Sequence, residues 1–151
     1  IRPVFQSGTG NDGASALAAG VAAVSTYREL AAQGRYELLF KHSCALAEGL
    51  RKAFAKAGIP AHVNQLGPML QLFLTDRTPG FEAFATIPME PLELFYLALI
   101  TEGVLLSLPR SNHIYLSFAH GERDVRDILG AVDAVLGRYD FALLVRAASA
   151  G

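Results

Sequence analysis

Few residues of this 151-residue chain have the types and spacing that chemistry needs. The segment Ser7-Gly8-Thr9-Gly10-Asn11-Asp12-Gly13 sets hydroxyls and a run of backbone N–H groups ahead of an Ala-rich stretch that reads as a helix. A helix N-terminus carries unpaired N–H groups and the positive end of the macrodipole, so Ser7, Gly8 and Thr9 are candidates to hold a phosphate. The same turn composition also caps helices with no ligand. The four histidines, His42, His62, His113 and His120, are dispersed, and no two stand at a helical or Cys/His spacing that reads as a zinc site. No metal is expected. The G-x-S-x-G elbow, the P-loop and a G-x-G-x-x-G after a strand are all missing, so the usual hydrolase, NTPase and dinucleotide signatures fail together.

Single residues add little. Lys41, Lys52 and Lys56 fall on the polar face of a helix, where a solvated role outweighs a nucleophilic one. Arg110, in a turn between two strands, suits either a bidentate pair with a carboxylate or a plain surface loop. His120, before Gly121, reads as a helix-capping or core histidine rather than a base. Cys44 reads as a small buried hydrophobe, and a single cysteine with no partner in the chain points to a reducing, cytoplasmic setting.

The elements that must position these residues follow from period and punctuation. An Ala-rich helix from Ala14 to Ala32 is apolar nearly all round, which predicts burial on several sides or close packing against another subunit, and Gly34 stops it. A second helix, Arg35 to Ala57, keeps Leu38, Leu39, Cys44, Leu46, Leu50 and Phe54 on one face and Glu37, Lys41, Glu48, Arg51, Lys52 and Lys56 in water, ending at Gly58 and Pro60. Ala61–Asn64 and Met69–Leu74 read as paired strands around Gly67-Pro68, and Thr75–Pro91 as largely loop. A helix from Glu90 to Glu102 turns Leu92, Phe95, Tyr96 and Leu99 inward, and Gly103 closes it. Strands at Val104–Leu108 and from Asn112 or His113 to Phe118 follow, and then a final helix, Glu122–Arg138, with Val125, Ile128, Leu129, Val132 and Leu136 on its buried side. The sum is an α+β fold, a two-layer sandwich of helices on a small, mostly antiparallel sheet.

Composition bounds the rest. A 52% hydrophobic chain of this length buries roughly 70% of its unfolded surface without a metal or disulfide, as one domain. With 13 Lys+Arg against 14 Asp+Glu there is no cationic footprint for nucleic acid or anionic lipid. The longest apolar run, Ala14 to Val24, falls short of the about 20 residues of a membrane span, and the N-terminus lacks the pattern of a signal peptide. The chain starts without Met inside an extended apolar phrase, which reads as a piece of a longer protein.

Several of these segments, in order, resemble one family. Gln6-Ser7-Gly8-Thr9, followed by Ala18-Ala19-Gly20, is similar to the Gly-Thr…Ala-Ala-Gly stretch of class III, fold-type I pyridoxal-phosphate aminotransferases, with glutamate-1-semialdehyde aminomutases the nearest group. The resemblance continues through Leu46-Ala47-Glu48-Gly49-Leu50-Arg51, Gly58-Ile59-Pro60, Val63 to Leu70, Glu102-Gly103-Val104-Leu105, Leu116 to His120 and Glu122 to Leu129, so that it spans about Phe5 to Leu136. Asp12-Gly13-Ala14 stands where the family has Gly-Asn-Pro.

The resemblance implies pyridoxal 5′-phosphate as cofactor, with Thr9 reaching its phosphate in the neighbouring subunit of a homodimer and Ser7 and Gly8 shaping the turn. It implies that residues 1–34 are the end of a large domain with a connecting helix, and residues 35–151 the C-terminal small domain. The lysine that carries the cofactor and the acid against its ring nitrogen are implied upstream, so the segment is expected to be inert alone, its partners being the large domain and a small amine or carbonyl substrate. The competing expectation is a non-catalytic α+β module that binds a ligand or a protein, with the Ala-rich helix as its surface.

Overall fold

The structure, a computed structural model, describes residues 13–75, 79–80, 86–106 and 113–149. Two compact units divide the chain, Ile1–Tyr36 and Glu37–Gly151.

In the first unit, helix α1 (Ala14–Ala32) follows from alanine, the residue that gives up least on entering a helix. It starts from Gly13 in an extended conformation and ends before Gly34, whose φ of +67° suits a residue without Cβ. No residue of α1 is buried, and Leu17, Val21 and Val24 are more than half exposed. Among the described residues the helix is thus exposed, and the alternative expectation, close packing against another subunit, concerns a chain the structure does not contain. Alanines scattered round all faces sustain a helix by propensity but give no single stripe to direct toward a core.

The second unit is built on helix α2 (Arg35–Lys56), whose buried stripe is Leu39, Ser43, Leu46, Ala47, Leu50, Ala53 and Phe54, steps of three and four residues. Cys44 is exposed and Leu38 is 45% exposed, which corrects the reading of both as core. The stripe runs through Leu39 and Ser43, and each of the two displaced residues is one helical step, about 100°, off that line. Gly58 (φ +68°) ends α2 in a Schellman motif, with the Ile59 N–H donating to Phe54 O and the Gly58 N–H to Ala55 O. Ile59 and Phe54, both buried, supply its usual hydrophobic contact.

Strands β1 (His62–Leu66) and β2 (Met69–Phe73) pair antiparallel with Leu66 opposite Met69, so Gly67-Pro68 is a two-residue hairpin loop. Gly67 at φ +56° meets the need for a positive φ at the first loop position. Strand β3 (His113–Tyr115) pairs antiparallel with β2, giving the order β1-β2-β3. It stops short of the predicted Phe118 because Ser117 to His120 closes a turn, with the Ser117 N–H donating to His120 Nδ1 at 3.0 Å. The predicted strand from Val104 does not form over 104–106, and its remainder lies outside the described residues. Val104 commits its N–H to Leu99 O, capping the preceding helix instead of a sheet ladder.

That helix, α3 (Glu90–Thr101), buries Pro91, Leu92, Phe95, Tyr96 and Leu99. Helix α4 (Glu122–Arg138) buries Val125, Ala131, Val132 and Val135, with Ile128, Leu129 and Leu136 half-buried. A further helix, α5 (Phe141–Ser149), follows where none is predicted, its start held by Asp140 Oδ1 accepting the Leu143 N–H at 2.9 Å. The core joins these helices to Val63, Leu70 and Leu72 on one face of the sheet. At its centre Phe95 meets Phe54 and Phe141 edge-on, at centroid distances of 5.1 and 5.5 Å. The fold is α+β, with helices layered on a small antiparallel sheet. No helix among the described residues is long and apolar enough to cross a membrane.

Candidate functional site

Ser7, Gly8 and Thr9 lie outside the described residues, as does Arg110. What is described of the phosphate-binding candidate is the helix end that follows it. Gly13, the N-cap of α1, offers no side-chain cap, and no acidic residue stands in the first turn of the helix. Among the described residues, the first amides of α1 are neither capped by a side chain nor opposed by a carboxylate in the first turn, and the dipole behind them favours an anion. Over the described residues, the free amides of this end are of the kind that a phosphate accepts from.

The lysines face solvent. Lys41, Lys52 and Lys56 are all exposed on α2, and Lys52 Nζ pairs with Glu48 Oε1 at 2.9 Å, one helical turn away. A lysine that serves as nucleophile or base needs a lowered pKa, which burial or a neighbouring cation supplies. None of the three is buried. His120 is bound within its own turn, its Nδ1 facing the Ser117 N–H and Oγ at 3.0 Å each. The cap of α4 is made instead by Asp124, whose Oδ2 accepts the Gly121 N–H at 2.7 Å, so the capping role read for His120 belongs to a residue further along.

The perturbed titrations have structural causes. The Gly121 N–H holds the Asp124 carboxyl below its usual range, and the hydrogen bond from Lys52 does the same for Glu48. Burial pushes the Tyr96 phenol up and keeps it neutral in the core. The hydrogen bond to Glu102 raises Arg138, clipping the ends of α3 and α4 together. These groups sit apart, Glu48 on α2, Tyr96 on α3, and Asp124 and Arg138 at opposite ends of α4, and do not form an acid–base constellation. Among the described residues no group of three or more His, Cys, Asp or Glu side chains is placed to hold a metal ion.

The sheet carries a polar row that the sequence reading missed. Asn64 pairs with Gln71, and Gln71 with His113, on one level of the three strands. His62 Nε2 donates to Asn64 Oδ1 at 3.0 Å, Gln71 Nε2 donates to His113 Nε2 at 2.9 Å, and His113 stacks on Tyr115 with planes 4° apart. These residues alternate with Val63, Leu70, Leu72 and Ile114, which pack in or against the core. That alternation, polar at 62 and 64 around an apolar 63, was the signal available in the sequence. A second network ties α2 to the hairpin: Ser43 Oγ donates to Gly67 O at 2.6 Å, and Gln65 Nε2 donates to Ser43 Oγ at 3.1 Å.

Comparison with known proteins bears out the resemblance read from the sequence. No family model matches the chain. It is 37% identical over 135 residues, 89% of its length, to the glutamate-1-semialdehyde 2,1-aminomutase of Desulfatibacillum aliphaticivorans, and covers 31% of that protein. It is 35% identical over 131 residues, 85% of its length, to glutamate-1-semialdehyde 2,1-aminomutase 2 of Brevibacillus brevis, and covers 30% of it. The chain thus spans about a third of the curated relatives it matches. Among solved structures, a transaminase with pyridoxal phosphate bound superposes over 95% of this chain and 31% of its own, with a TM-score of 0.72 at 20% identity. An omega-transaminase from Sphaerobacter thermophilus superposes over 69% of this chain and 24% of its own, with a TM-score of 0.56 at 19% identity. The chain is related by sequence to one stretch of the aminomutases, and its fold is that of a part of a transaminase.

Proposed function

From that relation we propose that this chain is the C-terminal segment of a pyridoxal-phosphate-dependent aminotransferase or aminomutase of class III, fold type I, working in the cytoplasm as a homodimer. The observation that carries the reading is the 37% identity extending over 89% of the chain, well beyond any single motif. Residues 1–34 are the end of the large domain and the helix leaving it, and residues 35–151 are the small domain that covers the substrate side of the cleft. The whole enzyme moves an amino group between an amine donor and an aldehyde or keto acceptor. When bound, the cofactor supplies the electron sink that makes the bonds at the amine-bearing carbon labile.

The contribution of this segment is to binding. The Thr9 hydroxyl and N–H, with the turn at Ser7 and Gly8, hold the cofactor phosphate across the dimer, in line with the anion-favouring end of α1. The segment is inert alone. Its three lysines stand exposed on α2, which supports a cofactor-carrying lysine in the upstream part of the enzyme.

Borohydride reduction in the presence of pyridoxal phosphate, followed by peptide mapping, tests the division. The full-length protein should trap the cofactor on a lysine upstream of Ile1, while this chain alone traps none specifically. Trapping on neither would replace the enzyme by a ligand- or protein-binding α+β module. Within the full-length protein, Thr9→Ala should weaken cofactor retention about tenfold, the loss expected from a charge-assisted hydrogen bond worth roughly 1.5 kcal/mol or more. An unchanged affinity for pyridoxal phosphate would overturn the role of Thr9 and leave the enzyme assignment standing.

A further inference from the structure

We draw no further inference here: the strongest candidate, the polar row of His62, Asn64, Gln71, His113 and Tyr115 on the face of the three-stranded sheet opposite the core, carries nothing because nothing in the structure shows what covers that face.

Discussion

At the scale of single residues, some of the described charges of the second unit stabilise helix ends. Asp124 shows this most directly, since its carboxylate accepts the Gly121 N–H at the start of α4 and its pKa is lowered by that bond. A lowered carboxylate pKa adds stability that is fully present above the unfolded value, about 3.9, and is lost as pH falls through the folded value beneath it. Urea unfolding of the wild type and of Asp124→Asn should therefore differ most above about pH 4, the two curves converging as the solution is made more acid. A difference that stayed constant down to the acid limit would show that the carboxylate charge has no part in the cap. Ser43 makes a contrasting case: it is fully buried, and its hydroxyl both donates to Gly67 O and accepts from Gln65. A polar side chain in the core stripe of α2 is tolerated because both hydrogen-bonding capacities are used.

At the scale of elements, glycine punctuation decides where helices stop and what the next segment can do. Gly58 and Gly103, at φ +68° and +86°, close α2 and α3 in the same motif, with Ile59 and Val104 returning their N–H groups to Phe54 and Leu99. An added Cβ at Gly58 meets no atom within 4 Å, so Gly58→Ala isolates the backbone cost of a left-handed residue. A loss of roughly 1 kcal/mol is expected in chemical denaturation, and a neutral result would mean that α2 ends equally well in another conformation. This punctuation is also why so much of the fold was legible. The limits of α1, α2 and α4 stood within a residue of their predicted places because Gly13, Gly34, Gly58 and Gly121 flank them. The misreadings came from tertiary demands. Whether Ser43 or Cys44 faces inward depends on the Gly67 carbonyl waiting across the interface, which no hydropathy pattern contains. The strand expected at Val104 failed because the residue is apolar and β-branched but its amide is used in a cap. Helix α5 was marked by Asp140 as N-cap and by Phe141 and Val145 one turn apart, a signal too short to stand out by period alone. The candidate site was read by a different route: Ser7, Gly8 and Thr9 stand out by their place before a helix and by resemblance, and they lie outside the described residues.

At the scale of the whole molecule, the two units differ in what sustains them. The second unit closes a core around Phe54, Phe95 and Phe141 and seats the sheet on it, whereas α1 holds 19 residues of helix with none buried. A helix supported by propensity alone is marginal in water at this length and opens locally at small cost, while opening a core helix exposes its buried stripe. Trypsin should read this difference as an order of cuts. Cleavage after Arg28, in α1, should precede cleavage after Lys52, Lys56, Arg123 or Arg126, which lie on helices with buried faces. A mass-spectrometric time course of this chain tests it, and an Arg28 site as resistant as Lys52 would show that α1 is held by more than its own hydrogen bonds. The same digestion bears on the proposed function. If α1 is the helix leaving the large domain of a dimeric enzyme, the apolar side chains of Leu17, Val21 and Val24 become buried in the assembled protein and the cut after Arg28 slows by the free energy of that burial, about 25 cal/mol for each Å² covered. Protection of Arg28 in the full-length protein and its rapid loss in this chain is the expected pair of results. Equal rates in both would leave α1 without a covering partner and would favour an independent module over the end of an enzyme.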